Sequence, residues 1–252
     1  RSIAIGAGAL FAQNPASAAD MYNVGIGYEA GVAVTTGVRN TLIGGLSGDA
    51  NTTGGDNVSV GANSLSANTT ASNNTAVGSA SLVTNTTGAG NTGLGNSALY
   101  GNTTAANNTA VGYQSLYTNT TGDRLSALGK GALLANTTGT ENTAIGYLAL
   151  DANTTGAANV AVGSEALGAN TTANYNVAVG PVALGANTTG TPNVAVGAFA
   201  LDANTTGAGN IGIGYASLTA NTTADYNTSV GHQALYVNTT GSANTAVGKE
   251  AL

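Results

Sequence analysis

Hydrophobic and polar residues alternate along this chain in a pattern that repeats every seventeen residues. One copy reads N-T-A-I-G-Y-L-A-L-D-A-N-T-T-G-A-A from Asn142 to Ala158, and Asn159 begins the next. We number the residues of each copy 1 to 17 from its first asparagine. Position 5 is glycine in fourteen consecutive copies from Gly27 to Gly248, without insertion or deletion. We therefore interpret the chain first as an array of one repeated structural unit.

The order of residue types within one copy predicts β-structure. Positions 2 to 5 hold a β-branched, a small, an aliphatic and a glycine residue, which is the period-two pattern of a strand. Asn-Thr-Thr-Gly at positions 12 to 15 is typical of turns, and frequent glycine and asparagine disfavour a helix. We expect two short strands per copy, at positions 2–5 and 7–10. A hairpin meander would also contain such strands, but the constant advance favours an all-β, parallel solenoid with coils about 4.8 Å apart.

Two positions supply the predicted core. From Asn57 onward, position 4 is aliphatic and position 9 is leucine, so stacked coils would form two apolar ridges. The asparagines at positions 1 and 12 would bond their copies in neighbouring coils as amide ladders. The predicted core residues are Val60, Leu65, Val77, Leu82, Val111, Leu116, Ile145, Leu150, Val162, Leu167, Val179, Leu184, Val196, Leu201, Ile213, Leu218, Val230 and Leu235.

The copies differ in regularity along the chain. Residues 1–56 form irregular N-terminal repeats of the same solenoid, and residues 57–252 form the regular array. The first copy carries four extra residues in a longer turn that includes Pro15, and the third has Leu42 at position 3. Atypical end copies often cap a solenoid, and simple divergence accounts for them equally well.

Composition narrows the classes of function. Leu, Ile, Val and Phe make up only about a fifth of the chain, a level typical of disorder. Disorder also requires high net charge, whereas charged residues here are 6% and the net charge is −6. The absence of cysteine excludes disulfides and thiolate metal sites. Five scattered basic residues give no nucleic-acid footprint, and no apolar run is long enough to span a membrane. Because the chain begins and ends within repeats, we expect a mature or internal piece of a longer protein, or the ordered part of a filament.

No group of residues points to catalysis. His232 is the only histidine, at a position where other copies carry Tyr, Ser, Lys or Pro. No carboxylate pair recurs beside an acid–base partner. The aspartates lack the Gly-Gly-x-Gly-x-Asp spacing of calcium-binding repeats. We predict no enzyme activity, no catalytic residue, no metal and no cofactor.

Two features of the turns leave alternatives open. Tyrosines recur at positions 6, 10 and 17, where they either pack over the turns or offer a sugar-contacting patch. Every Asn-Thr-Thr is formally an N-glycosylation sequence, but an amide that faces inward in a ladder excludes a glycan on the same residue. The candidate glycosylation residues are Asn51, Asn68, Asn85, Asn102, Asn119, Asn136, Asn153, Asn170, Asn187, Asn204, Asn221 and Asn238.

The predicted core is thin, and the β-branched residues at position 2 leave a partly apolar face outside. Exposed apolar stripes of this kind usually mark association surfaces. Association of parallel chains would supply the missing burial. We therefore expect a homotrimer or a longer filament.

The strand motifs resemble those of a known family. N-T-A-V-G at 108–112, N-V-A-V-G at 159–163 and 176–180, and S-I-A-I-G at 2–6 are similar to head repeats of YadA-like trimeric autotransporter adhesins and of some phage tail fibres. The longer form N-T-A-V-G-Y-x-x-L-x-x-N-T-T-G resembles arrays upstream of endosialidase-type chaperone domains in tail-fibre and surface proteins. The resemblance covers nearly all of the chain. It implies a left-handed parallel β-roll, trimerisation, and a location outside the cell, on its surface or in a virion fibre.

These patterns together predict an extracellular structural or adhesive fibre segment that acts as a rigid repeat shaft. Its partners would be copies of itself, and surface glycans or a host-cell surface. The alternatives are a glycosylated surface filament subunit and an ice- or carbohydrate-binding solenoid. Adjacent threonines at positions 13 and 14 would point to opposite faces of a strand, which argues against ice, and thermal hysteresis would discriminate. A polysaccharide lyase would need clustered acid–base residues, and the one internal break at 123–125 is too small for them.

Overall fold

The chain folds as a parallel β-solenoid whose coils are seventeen residues apart. The computed structural model describes residues 1–14 and 20–252, and these residues form strands and turns without an α-helix. Two compact units comprise residues 1–125 and 126–252. The centre of the longer turn in the first copy, with Pro15, lies outside the described residues. The sequence boundary between 56 and 57 concerns repeat regularity and stays a prediction.

Every described strand is three residues long and occupies positions 2 to 4 of its copy. Those of the first unit are β1 (Ile3–Ile5), β2 (Val24–Ile26), β3 (Thr41–Ile43), β4 (Val58–Val60), β5 (Thr75–Val77), β6 (Thr92–Leu94) and β7 (Thr109–Val111). Those of the second unit are β8 (Ser126–Leu128), β9 (Thr143–Ile145), β10 (Val160–Val162), β11 (Val177–Val179), β12 (Val194–Val196), β13 (Ile211–Ile213), β14 (Thr228–Val230) and β15 (Thr245–Val247).

The pairing register places equivalent positions side by side. Within each unit every strand pairs in parallel with the next, so that Val160 lies opposite Val177 and Val162 lies opposite Val179. The register survives the four extra residues of the first copy, because Ile3 still pairs with Val24. Each position of the repeat therefore forms a row across the coils of its unit.

The predicted second strand at positions 7–10 is wrong for the described residues, which form turns there. The backbone takes positive φ at positions 7 and 9, with 50° at Leu148 and 53° at Leu150. As a result, the backbone N–H groups of positions 7 and 9 point to opposite neighbouring coils. The Leu148 N–H donates to the Lys130 carbonyl at 3.1 Å in one adjacent coil, and the Leu150 N–H donates to the Ala166 carbonyl at 2.9 Å in the other. Bonding between coils thus continues without strand geometry.

The core lies between the strand and this turn, at positions 3, 8 and 9. The leucines at position 9 from Leu65 to Leu235 are buried, and the residues at position 3 are small in these coils because the leucines pack against them. A Cβ added to Gly212 would lie 3.2 Å from Cγ of Leu201 in the preceding coil. The buried leucines among the predicted core residues are Leu65, Leu82, Leu116, Leu150, Leu167, Leu184, Leu201, Leu218 and Leu235.

The aliphatic residues at position 4 are half-exposed or exposed, so the prediction that they form a core ridge is wrong. Successive side chains of a strand point to opposite faces. Because position 3 faces the leucine, positions 2 and 4 must face outward. The residues affected are Val60, Val77, Val111, Ile145, Val162, Val179, Val196, Ile213 and Val230.

The irregular copies near the start keep the core filled by exchanging large and small residues. Leu42 replaces the small residue at position 3, and glycine replaces leucine at position 9 in Gly31 and Gly48. A Cβ on Gly31 would lie 2.5 Å from Cδ1 of Leu42, and one on Gly48 would lie 2.8 Å from its Cδ2. Leu42 packs in a buried cluster with Leu10 and Val34. In these coils the side chain of Leu42, which lies on the strand, fills the space that the position-9 leucine fills in other coils.

Candidate functional site on the outer face of the strands

The side chains at positions 2 and 4 form a surface that we call the outer strand face of each unit. In the second unit many of them are large and apolar, and Leu128, Ile145 and Ile213 are 50%, 40% and 39% exposed. Hydrophobic side chains at this level of exposure are ordinary when scattered, but here they recur in every coil. In the second unit the face consists of Ser126, Leu128, Thr143, Ile145, Val160, Val162, Val177, Val179, Val194, Val196, Ile211, Ile213, Thr228, Val230, Thr245 and Val247.

The outer strand face carries no charge in the described strands, where every outward residue is Val, Ile, Leu, Thr or Ser. Neighbouring strands of a parallel sheet lie about 4.8 Å apart, so the two rows have a regular spacing. The backbone groups between paired strands are engaged in the sheet. Any partner that approaches this face therefore meets β-branched, largely apolar side chains.

Charged and aromatic residues lie just beyond the ends of several strands, at positions 17 and 6. At position 17 of neighbouring coils, Arg39 donates from Nε and Nη2 to the Asp56 carboxylate, at 2.6 and 2.8 Å. The hydrogen bonds from Arg39 lower the pKa of Asp56. At position 6, Nζ of Lys130 lies 5.6 Å from the ring centroid of Tyr147. An apolar surface with a polar rim is typical of an interaction site.

The asparagines at positions 1 and 12 lie inside each unit and form ladders. Nδ2 of Asn153 donates to Oδ1 of Asn136 at 2.9 Å and to the Gly156 carbonyl at 3.0 Å. Nδ2 of Asn142 donates to the same carbonyl at 2.7 Å, and Oδ1 of Asn142 accepts from the Asn159 backbone N–H at 2.9 Å. The two amides of one coil thus meet at its position-15 carbonyl while each also contacts an adjacent coil.

This geometry bears on the candidate glycosylation residues. Those from Asn51 to Asn221 are buried, and Asn238 is half-buried. A glycan would replace a hydrogen on Nδ2, yet Nδ2 of Asn153 donates two hydrogen bonds inside the fold. The geometry favours the ladder in the folded chain. Glycosylation stays a prediction that mass measurement decides.

The two threonines of each triplet have different environments. Oγ1 of Thr154, at position 13, donates to the Thr171 carbonyl at 3.1 Å. The backbone N–H groups of Thr154 and Thr155 donate to the same carbonyl at 2.9 and 3.3 Å. Thr155, at position 14, is exposed. The triplet therefore presents one row of exposed threonines to solvent, and not the paired rows that an ice-binding face would need.

Tyrosines and carboxylates gather on the turn side of the coils. Tyr100 stacks on Tyr117 with ring centroids 4.9 Å apart. Asp151 and Asp202 share position 10, where burial raises the pKa of each carboxyl. The exposed ring of His232 stacks on a tyrosine of the preceding coil. Both uses predicted for the tyrosines, packing over turns and contact with sugars, are compatible with these positions.

Residues 1–14 and 20–252 offer neither a metal cluster nor a membrane-spanning helix. Those residues contain no group of three or more His, Asp or Glu side chains that could hold a metal ion. They also contain no helix that is long and apolar enough to cross a membrane. No protein-family model, no curated protein and no solved structure matches the chain. The outer strand face is the candidate site. The aliphatic pattern of the sequence predicts half of this face, position 4, as core.

Proposed function

We propose that the chain is a segment of an extracellular structural or adhesive fibre in which parallel copies associate through the outer strand face. The observation that supports the proposal is the uncharged, β-branched face that recurs on successive strands of each unit. Removal of apolar surface from water is favourable by about 25 cal/mol per Å². An uncovered face that repeats in every coil is thus a strong driving force for association.

A second copy of the chain is the partner that this face fits best. The rows of side chains have the same spacing in every molecule, so a second chain that runs parallel would place each of its coils against one coil of the first. Symmetric association of identical chains is also the commonest form of oligomer. Three copies that turn this face toward a common axis would leave none of it in water, and a homotrimer is therefore the arrangement that we expect.

The location outside the cell is supported by the resemblance of the strand motifs to those of adhesin heads and tail fibres. Immunogold labelling of intact cells or particles of the source would test it. Label on the outside without permeabilisation is expected. Label that appears only after permeabilisation would contradict the location and leave the association to be judged separately.

The association is tested by placing charges on the outer strand face. Val162→Glu with Val179→Glu puts two carboxylates on adjacent strands, where a partner would bury them. Thr172→Glu with Thr189→Glu adds the same charge to the same two coils, at exposed position 14. Sedimentation velocity and native mass spectrometry should show an oligomer for the parent and for the threonine variant, and a monomer for the valine variant.

Circular dichroism would confirm that both variants keep the β-fold. A parent chain that is a monodisperse monomer at micromolar concentration would contradict the association. Equal assembly of both variants would place the interface elsewhere on the coil.

A further inference from the structure

A groove on the turn side of the second unit combines aromatic rings with a carboxylate, a hydroxyl and an amide. It has a volume of about 280 Å³ and lies on positions 6, 7 and 10 of three successive coils. This volume is slightly below the range of about 300 to 1,000 Å³ that is usual for drug-sized ligands. The groove, which we call the aromatic groove, is lined by Phe199, Asp202, Tyr215, Thr219, Gln233 and Tyr236.

The rings of the aromatic groove are arranged and partly open to solvent. Phe199 and Tyr215 meet edge to face, with centroids 6.0 Å apart and an interplanar angle of 82°. His232 stacks on Tyr215 at 5.3 Å, which fixes the tyrosine ring from another side. Phe199, Tyr215 and Tyr236 are all exposed. Each of these rings therefore has surface that a ligand can reach without rearrangement of the core, and for Tyr215 this excludes the face that His232 covers.

The Asp202 carboxylate of the groove has unused hydrogen-bonding capacity. Oδ1 of Asp202 is buried and accepts no hydrogen bond. A carboxylate offers about four acceptor sites, and buried polar groups are usually paired. The Thr219 hydroxyl donates to the Phe199 carbonyl at 2.7 Å, which holds the groove wall in place. Burial raises the pKa of Asp202.

We propose that the aromatic groove binds the ring of a neutral saccharide. The C–H face of a sugar ring is apolar and packs on the negative face of an aromatic ring, which Tyr215 and Tyr236 provide. Sugar hydroxyls donate to a carboxylate such as Asp202, and hydrogen bonds to a charged acceptor are stronger than neutral ones. A neutral sugar is specified because Asp202 and the net charge of −6 oppose an anionic one.

The same unit contains an equivalent groove without rings. It is lined at positions 7 and 10 by Leu148, Asp151, Glu165, Gly168, Val182 and Gly185, and its volume is about 270 Å³. Its carboxylates and aliphatic side chains offer acceptors but no stacking surface. Sugar binding should therefore be confined to the aromatic groove. The proposal does not depend on association, since positions 6, 7 and 10 are distinct from the outer strand face.

The test is saturation-transfer NMR on the full chain with methyl glycosides of glucose, galactose and mannose and with N-acetylglucosamine, each at about 10 mM to detect millimolar affinity. At least one sugar should show transfer through its ring protons. Tyr215→Ala should weaken binding at least tenfold, and Tyr215→Phe should retain it because the stacking face remains. Asp202→Asn should weaken binding several-fold. Tyr147→Ala removes a tyrosine at the same repeat position outside the groove, and it should leave binding unchanged.

Circular dichroism of each variant would separate loss of binding from loss of fold. Absence of transfer to all four sugars would overturn the proposal. Equal binding by the parent and by Tyr215→Ala would overturn it as well. Equal losses in Tyr215→Ala and Tyr147→Ala would show a general aromatic effect and no defined groove.

Discussion

A single asparagine side chain at position 12 makes hydrogen bonds to its own coil and to both neighbouring coils. Nδ2 of Asn153 donates to an asparagine in one neighbouring coil and to the Gly156 carbonyl of its own coil. Its Oδ1 accepts from Asn170 in the other neighbouring coil, at 3.0 Å. Aspartate has no donor for these acceptors, and serine is too short to reach both. The constant Asn at position 12 from Asn51 to Asn238 is thus accounted for by bonding inside the fold.

Removal of one ladder amide should weaken the fold measurably. Asn153→Ala removes the Nδ2 group that donates to the buried Oδ1 of Asn136. Loss of the partner of a buried polar group costs about 1–3 kcal/mol. A lower urea midpoint is expected. Thr155→Ala, at an exposed position two residues away, should change stability by less than about 0.5 kcal/mol. Equal midpoints for the parent and the Asn153 variant would show that the ladder contributes nothing.

The same ladder predicts the masses of peptides from native material. Because the amide nitrogens face inward, peptides that contain Asn136, Asn153 or Asn170 should have unmodified masses. Proteases that cleave at apolar residues are needed, because Lys and Arg number only five in the chain. A mass increase typical of a glycan on any of these asparagines would contradict the buried ladder at that coil.

Half-buried aspartates predict an unusual dependence of stability on pH. Burial raises the pKa of Asp151 above its ordinary 3.8, with a smaller contribution from Glu165. The folded state then holds the proton more tightly than the unfolded state, so stability falls as pH rises from the ordinary value through the raised one. Asp151→Asn should raise the unfolding midpoint near neutral pH and have no effect near pH 3, below both values.

Asp56 provides the opposite case as a control. The neighbouring Arg39 lowers its pKa, so its contribution to stability is present above the ordinary value and lost as pH falls through the lowered one. Asp56→Asn should therefore lower the midpoint slightly near neutral pH, since the pair lies at the surface. If both variants shifted the unfolding midpoint in the same direction, the change in net charge and not the surroundings of each aspartate would decide stability.

At the scale of the element, the short strand and the turn meet at a glycine with positive φ. Gly44 has φ of 131°, and a Cβ there would lie 2.5 Å from the carbonyl oxygen of Gly61 in the next coil. Gly45 follows directly, has no such φ, and a Cβ there would meet nothing within 4 Å. A side chain at position 44 would therefore be strained, whereas one at position 45 would be accommodated.

Alanine at these two glycines should give opposite results. Gly44→Ala combines backbone strain with a collision against backbone and should cost more than about 2 kcal/mol. Gly45→Ala should be neutral or stabilise the fold by about 0.4–1 kcal/mol, because it restricts the unfolded chain. Hydrogen exchange of β3 and β4 would report both. Faster exchange in the Gly45 variant than in the Gly44 variant would refute the assignment.

The sequence predicts some of these elements well and others poorly. The strand at positions 2–4 is predictable from the alternation and from the glycine that follows it. The turn at positions 6–11 is not, because residues such as Leu148 and Glu165 adopt positive φ without any residue-type signal. Aliphatic character at position 4 predicts the wrong inward face, because the strand turns these side chains toward solvent. The small residue at position 3 was the better indicator, since it must leave room for a leucine. The aromatic groove joins residues of three coils, and only the register shows that they meet.

For the whole molecule, the constant register predicts which deletions are tolerated. Removal of residues 160–176 takes out one complete coil and joins Asn159 to Val177 in the order that other coils have. The mean circular dichroism per residue should be unchanged and the urea midpoint only slightly lower, as expected for a nearest-neighbour array. Removal of residues 164–172 takes out fewer residues but leaves a coil that cannot stack. A larger loss of stability from the complete-coil deletion would contradict the solenoid register.

Because each coil within a unit bonds to its neighbours through the same set of groups, a single chain has a defined mechanical response. A force applied to its ends would unwind one coil at a time, as each newly terminal coil meets the same resistance as the last. Each event would release seventeen residues. At about 3.4 Å per extended residue, less one coil spacing, this is a step of roughly 50 Å. Over the regular copies, force spectroscopy would record a series of equal extension steps, in which the ladders set the force and the length of the repeat sets the extension.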